Sequence, residues 1–219
     1  MVLDRRRAGA GSGKPGSESR RGKSTSRFEW QKIETAYREL RPSDHAEELR
    51  WIVNQETIFD RTTGVTITRG TIRHPGICVI VPFLDVDHIL LMHQYRYAAG
   101  QALWEVPAGT ISGRLENGRV LPVETPEFCA RRELIEETGY EAGKLEKVCE
   151  CYAMPGTSDE LMHVFFARHL VKRQQSLDVG EVIEEVRPFS LAEIARMIER
   201  GGIHDAKTLV GLFHALRHS

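Results

Sequence analysis

The chain predicts an α+β fold, a mixed β-sheet packed between helices. Three observations carry that expectation. Apolar segments of strand length, broken by turn residues, fill residues 51 to 95 and 147 to 189; a well-capped helix is inserted near residue 126; and two amphipathic helices close the chain. With 219 residues and 41% hydrophobic content, the chain can bury one generous core and carry a tail. The longest apolar stretches, such as Ile77 to Leu84, have the length of buried strands, far short of the ~18 residues of a membrane span. A soluble protein without a membrane partner is expected.

Taken in order, residues 1 to 27 hold eight Lys/Arg against Asp4 and Glu18, with no aromatic side chain. Such a segment cannot bury enough surface to offset the entropy of ordering, so a disordered basic tail is expected. An organelle transit peptide is the alternative for an Arg- and Ser-rich start, although Gly and Pro disfavour its amphipathic helix. Gly16 to Ser24 imitates a phosphate loop, but five residues rather than four precede Gly22-Lys23-Ser24 and no strand leads into it. The tail contributes +6 to a total of −1, leaving −7 on the body, which argues against nucleic acid as a partner. Four cysteines, Cys78, Cys129, Cys149 and Cys151, with no apolar leader, describe no disulfide framework and suit a reducing cytoplasm.

Between Phe28 and Leu40, Ile33, Tyr37 and Leu40 recur at helical spacing and Pro42 follows as a stop, which predicts a short helix. Strands are expected over Trp51 to Phe59, Val65 to Arg73, Ile77 to Phe83 and His88 to Tyr95, and later near Lys147 to Ala153, Leu161 to His169 and Val182 to Phe189. Turns at Thr63-Gly64, Pro75-Gly76 and Asp85 to Asp87 separate the early ones. Ser190 with Glu193 forms a capping box for a helix ending at Gly201-Gly202, and a last helix from about Asp205 carries Leu209, Leu212, Phe213 and Leu216. Cys149 and Cys151 lack a second Cys or His pair at zinc spacing, and His214 and His218 lack the glutamate of a zinc protease motif. Ordinary packing and a solvated face are the expectations there.

The informative helix runs from Pro126 to Thr138, with Thr125 as N-cap and Gly139 as stop. Glu133 and Glu137 stand at i,i+4 with Glu136 between them, and like charges at that spacing repel. Arg132 can pair with Glu136, which leaves Glu133 and Glu137 as a carboxylate pair on one face. Hard oxygen ligands without Cys or His suit Mg²⁺ or Mn²⁺.

Over a longer stretch, residues 118 to 140 read GRVLPVETPEFCARRELIEETGY. This resembles the Nudix box, G-x5-E-x7-R-E-U-x-E-E-x-G-U, at every fixed position, with Tyr140 in place of the usual aliphatic residue. Gln94-Tyr95-Arg96-Tyr97, Trp104 to Gly109 and Met154 to Glu160, with Pro155 fifteen residues past the box, resemble the ADP-ribose pyrophosphatase subfamily. The likeness covers roughly residues 50 to 217 and implies an α/β/α sandwich that hydrolyses nucleoside diphosphates linked to another group. It also implies an N-terminal antiparallel sheet and a homodimer, and a division into a tail (1–27), an N-terminal helix-and-strand region for dimerisation and substrate (28–75) and a catalytic domain (76–219).

By the same resemblance, Glu133 and Glu137 would be the principal metal ligands, with Glu136 as an additional or orienting one and the carbonyl of Ala108 as a further one. Arg132 would orient the glutamates. The general base would be a loop acid, for which Asp178, Glu181, Glu184 and Glu185 are candidates and Glu181 is preferred. Arg96 would hold phosphates, Ser158 and Glu160 a ribose, and Glu105 of the Trp104 motif would join the substrate site. ADP-ribose is the substrate expected, GDP-mannose or another nucleotide sugar the nearest alternative, and a non-catalytic ADP-ribose sensor a remote one.

Overall fold

A computed structural model describes the backbone of residues 30–38 and, in full, residues 51–178 and 181–218. The basic tail, Met1 to Arg27, lies outside them. Strands β1 (Trp30–Arg38), β2 (Ile52–Asp60) and β3 (Val65–Arg73) form an antiparallel sheet in that order. β1 corrects an expectation, because it occupies most of the segment read as a helix from Phe28 to Leu40. The separation of Ile33 from Tyr37 is even, so it satisfies a two-residue period as well as a helical one, and pairing with β2 from Val53 to Asp60 decides between them. A bulge between Lys32 and Glu34 places one extra residue of β1 against β2.

The central sheet has the order β10 (Tyr140–Tyr152), β11 (Leu161–Lys172), β4 (Ile77–Pro82), β7 (Ala108–Thr110). β4 and β11 run parallel and the other neighbours antiparallel, so the sheet is mixed. A parallel pair needs covering on both faces, which is why β4 reads as an unbroken apolar run. Its side chains divide alternately: Val79 and Val81 enter one core with Leu212, Ala215 and Ile194, while Cys78 and Ile80 enter another with Cys129, Ala130 and Leu134. Helix α1 (Pro126–Thr138) therefore covers one face, and α2 (Leu191–Glu199) and α3 (Ala206–Arg217) cover the other. Gly211 lets α3 approach closely, since a methyl there would stand 2.7 Å from Val81. Phe213, expected to face inward, is exposed.

A second sheet, ordered β12 (Ile183–Ser190), β5 (His88–Arg96), β6 (Gln101–Glu105), adjoins this sandwich. The hairpin β8 (Gly113–Glu116) and β9 (Arg119–Pro122) leads into α1. Strands β6 to β9 have too few residues to show a period, which is why sequence patterning passes over them. The N-terminal sheet is tied to the rest through Arg73, which binds Glu56 at 2.7 Å and Asp159 at 3.1 Å. Cys149 and Cys151 pack against the core beside α3, and all four cysteines are free. No helix among the described residues is long and apolar enough to cross a membrane.

Candidate active site

α1 begins and ends as its sequence dictates: Thr125 Oγ1 accepts the Phe128 N–H at 3.2 Å, and Gly139 closes the helix at φ 70°. Its inner side carries Cys129, Ala130 and Leu134 into the core, and Glu133 and Glu137 lie on the same buried side. The acidic pair is therefore not a solvated face; Glu137 is only 1% exposed. Its Oε2 accepts the Ala108 N–H at 2.9 Å, joining the helix to β7. Gly109 leaves the room for Glu133, because a methyl at that position would overlap the Glu133 carboxyl. The thiols of Cys78 and Cys129, 2.9 Å apart, both donate weakly to the Gly109 carbonyl and steady this strand from below.

Above these groups lies a cleft of about 130 Å³ lined by Arg96, residues 108–113, Arg132, Glu133, Asp178 and Glu181. Burial pushes the Glu133 carboxyl up to about 7, although Arg132 pulls the other way. Glu137 is raised well above the usual carboxylate range, first by burial and then by Glu133 and Glu181. Three carboxylates thus share one partly desolvated space. Arg132 answers part of that charge, with contacts to Glu133 and Glu136 at 2.8 Å each and to Glu124 at 3.1 Å. Burial would lower the Arg132 guanidinium, yet Glu133, Glu124 and Glu136 hold it raised and so always charged. The pairing of Arg132 with Glu136 is as read from the spacing; the contact with Glu133 is additional and means that Glu133 is not left unpaired.

The other expected residues divide. Arg96 reaches the cleft, held by a two-point contact with Glu105 at 3.0 and 2.7 Å. Glu105, expected at the substrate site, is fully buried; its oxygens face Arg96 and Lys207, so it holds Arg96 at the cleft. Ser158 and Glu160 are not brought to the cleft. They belong to a loop docked on the end of β3, where Ile72 N donates to Thr157 O at 2.8 Å and Ser158 Oγ accepts the Glu160 N–H at 3.1 Å. Glu160 lies 3.8 Å from His74. Of the four loop acids, Asp178 and Glu181 line the cleft, while Glu184 pairs with His93 at 2.8 Å and Glu185 with Arg187 at 3.3 Å, on β12.

Two functional residues escape sequence reasoning. Glu124 accepts the Ser112 N–H at 2.8 Å while holding Arg132, so it locks the 111–113 loop to α1; its fixed place in the box was the available signal. Lys207 has no signal, since it meets Glu105 from 102 positions away. Among the described residues no three acidic, His or Cys side chains converge tightly enough to bind a metal by themselves. The donor set still fits a hard cation, because Mg²⁺ takes one or two carboxylates and completes its shell with water and phosphate oxygens. Two buried glutamates with raised affinity for protons are groups that a cation would relieve.

A buried, helix-borne acidic pair and two arginines around one cleft suit a metal-assisted hydrolase acting on phosphorylated substrates. The NUDIX domain profile matches residues 72–210, and the chain belongs to that family: it is a Nudix hydrolase. It is 36% identical over 147 residues to an ADP-ribose pyrophosphatase of Bacillus subtilis, covering 66% of this chain and 74% of that protein. It is 38% identical over 141 residues to a GDP-mannose pyrophosphatase of Yersinia enterocolitica, covering 59% and 67%. A solved ADP compounds hydrolase shares the fold at a TM-score of 0.67 and 20% identity, over 90% of this chain and 96% of that one.

Proposed function

We propose that the protein hydrolyses the pyrophosphate bond of ADP-ribose, giving AMP and ribose 5-phosphate, with Mg²⁺ or Mn²⁺ held by Glu133 and Glu137, assisted by Glu136 and the Ala108 carbonyl. The observation that carries this reading is the burial of Glu133 and Glu137 together beside Ala108-Gly109, with Glu181 close enough to repel both. A bound divalent ion would neutralise charge on the diphosphate and acidify a water. The chain's own groups do the rest. Arg96, fixed by Glu105, binds phosphate oxygens as a preformed fork. Arg132 anchors Glu133 and Glu136, and Glu124 anchors Arg132. Glu181 accepts the proton of the attacking water, with Asp178 as the other acid in reach. Ser158 and Glu160 are assigned to the ribose; their loop lies within the influence of Lys207, the partner of Glu105.

The same reading takes residues 76–219 as the catalytic domain, residues 28–75 as a dimerisation and substrate region, the protein as a homodimer, and the cytoplasm as its compartment, in keeping with four free cysteines. GDP-mannose is the competing substrate, favoured by the likeness to GDP-mannose pyrophosphatase. A panel of ADP-ribose, GDP-mannose, UDP-glucose, NADH and ATP with Mg²⁺ decides between them. AMP and ribose 5-phosphate as main products support the proposal; GMP and mannose 1-phosphate as main products replace it. Glu181→Gln should lower kcat by roughly 100-fold or more, the scale of a lost general base, with KM little changed.

A further inference from the structure

A second cleft, of about 420 Å³, opens between β6, β12 and α2 and is lined by Trp104, Arg187, Phe189, Arg196, Met197 and Arg200, with Glu193 at its edge. Trp104 and Glu105 are consecutive on β6, so their side chains leave opposite faces of the strand. Glu105 faces Arg96 and the catalytic cleft, whereas Trp104 packs edge-on against Phe189, so the two clefts are separate. One wall is apolar, formed by Phe189, Met197 and the indole. The other is cationic.

Three guanidinium groups facing one opening repel one another unless something anionic joins them. Arg187 is held over Phe189 at 4.1 Å and over Trp104 at 5.1 Å, and pairs with Glu185 at 3.3 Å. Arg196 and Arg200, exposed on successive turns of α2 and its end, make no ion pair among the described residues. Glu193 at the edge, whose Oε2 accepts the Ser190 N–H and the Ser190 hydroxyl at 2.8 and 2.7 Å in the capping box of the same helix, feels Arg196 and Arg187, but one carboxylate against three guanidinium groups leaves the opening cationic. A stacked arginine beside two exposed ones makes a fork for phosphate oxygens, and the apolar wall suits a ring.

We propose that this cleft is a second ligand site, taking a small phosphate monoester carried on a planar ring, of the nucleoside monophosphate class. The volume lies within the roughly 300–1,000 Å³ of small-molecule sites, which favours such a ligand over an acidic peptide. Trp104 supplies the readout.

The experiment titrates the full chain with AMP in EDTA and follows tryptophan fluorescence. A saturable change is expected for the wild type and for Glu137→Gln, with adenosine producing none. Arg196→Ala with Arg200→Ala should weaken AMP binding at least tenfold while leaving the thermal unfolding midpoint in place. Should that pair disturb α2, Arg196→Gln alone replaces it, with at least a threefold loss expected. The proposal is overturned if the arginine variants bind AMP as the wild type does, if adenosine binds as tightly as AMP, if no saturable change occurs, or if Glu137→Gln abolishes the signal and so places AMP in the catalytic cleft.

Discussion

Glu133→Gln should make the metal-free protein more stable while destroying its activity. Burial moves the Glu133 carboxyl from 4.5 to about 7. Between those values the folded protein keeps a proton that the unfolded chain has released, so stability falls as pH rises through the window. At about 1.4 kcal/mol per unit, the deficit reaches roughly 3 kcal/mol above pH 7. Glutamine has the same shape, fits over Gly109 and carries no charge to desolvate, and Arg132 retains Glu124 and Glu136. For a chain of this size about 3 kcal/mol corresponds to roughly 6–12 °C in the unfolding midpoint. Thermal unfolding in EDTA at pH 8 and pH 5 measures it: the variant should lead by that amount at pH 8 and by under about 1 kcal/mol at pH 5. Saturating Mg²⁺ should stabilise the wild type and not the variant. A variant no more stable than the wild type at pH 8, or an advantage equal at both pH values, refutes the reasoning.

Gly109→Ala should displace the Glu133 carboxyl, a flexible end that can move, so the fold survives while kcat falls by about 100-fold; circular dichroism and steady-state kinetics separate the two effects. Glu105→Gln should free Arg96 and weaken the hold on Lys207, raising KM for ADP-ribose about tenfold and lowering stability by about 1–3 kcal/mol in urea unfolding. His74, lowered by burial to about 4, stays neutral in the fold while the unfolded chain takes up a proton near 6.5. Stability from that residue is therefore lost as pH falls from about 6.5 to 4, by roughly 3 kcal/mol. His74→Asn keeps an acceptor for the Gly76 N–H and should remove that loss, which urea unfolding in a Glu133→Gln background, free of one opposing titration, would detect.

Helix α1, with its acidic pair, was legible because its information is local. Thr125, Pro126, Gly139 and the i,i+4 relation of Arg132 to Glu136 act within a few residues of one another, and a helix converts such separations directly into neighbours. Apolar runs as pure as Ile77 to Pro82 likewise announce a strand covered on both sides. What the tertiary structure alone decided lies where distant segments meet. Pairing with β2 made a strand of Trp30–Arg38, against a spacing that also suited a helix. Packing of α1 beneath β7 buried Glu137 and gave its carboxylate an Ala108 partner, and the fold set the buried Glu105 between Arg96 and the distant Lys207. Sequence separation measures none of this, because burial and charge pairing depend on which surfaces the folded chain brings together.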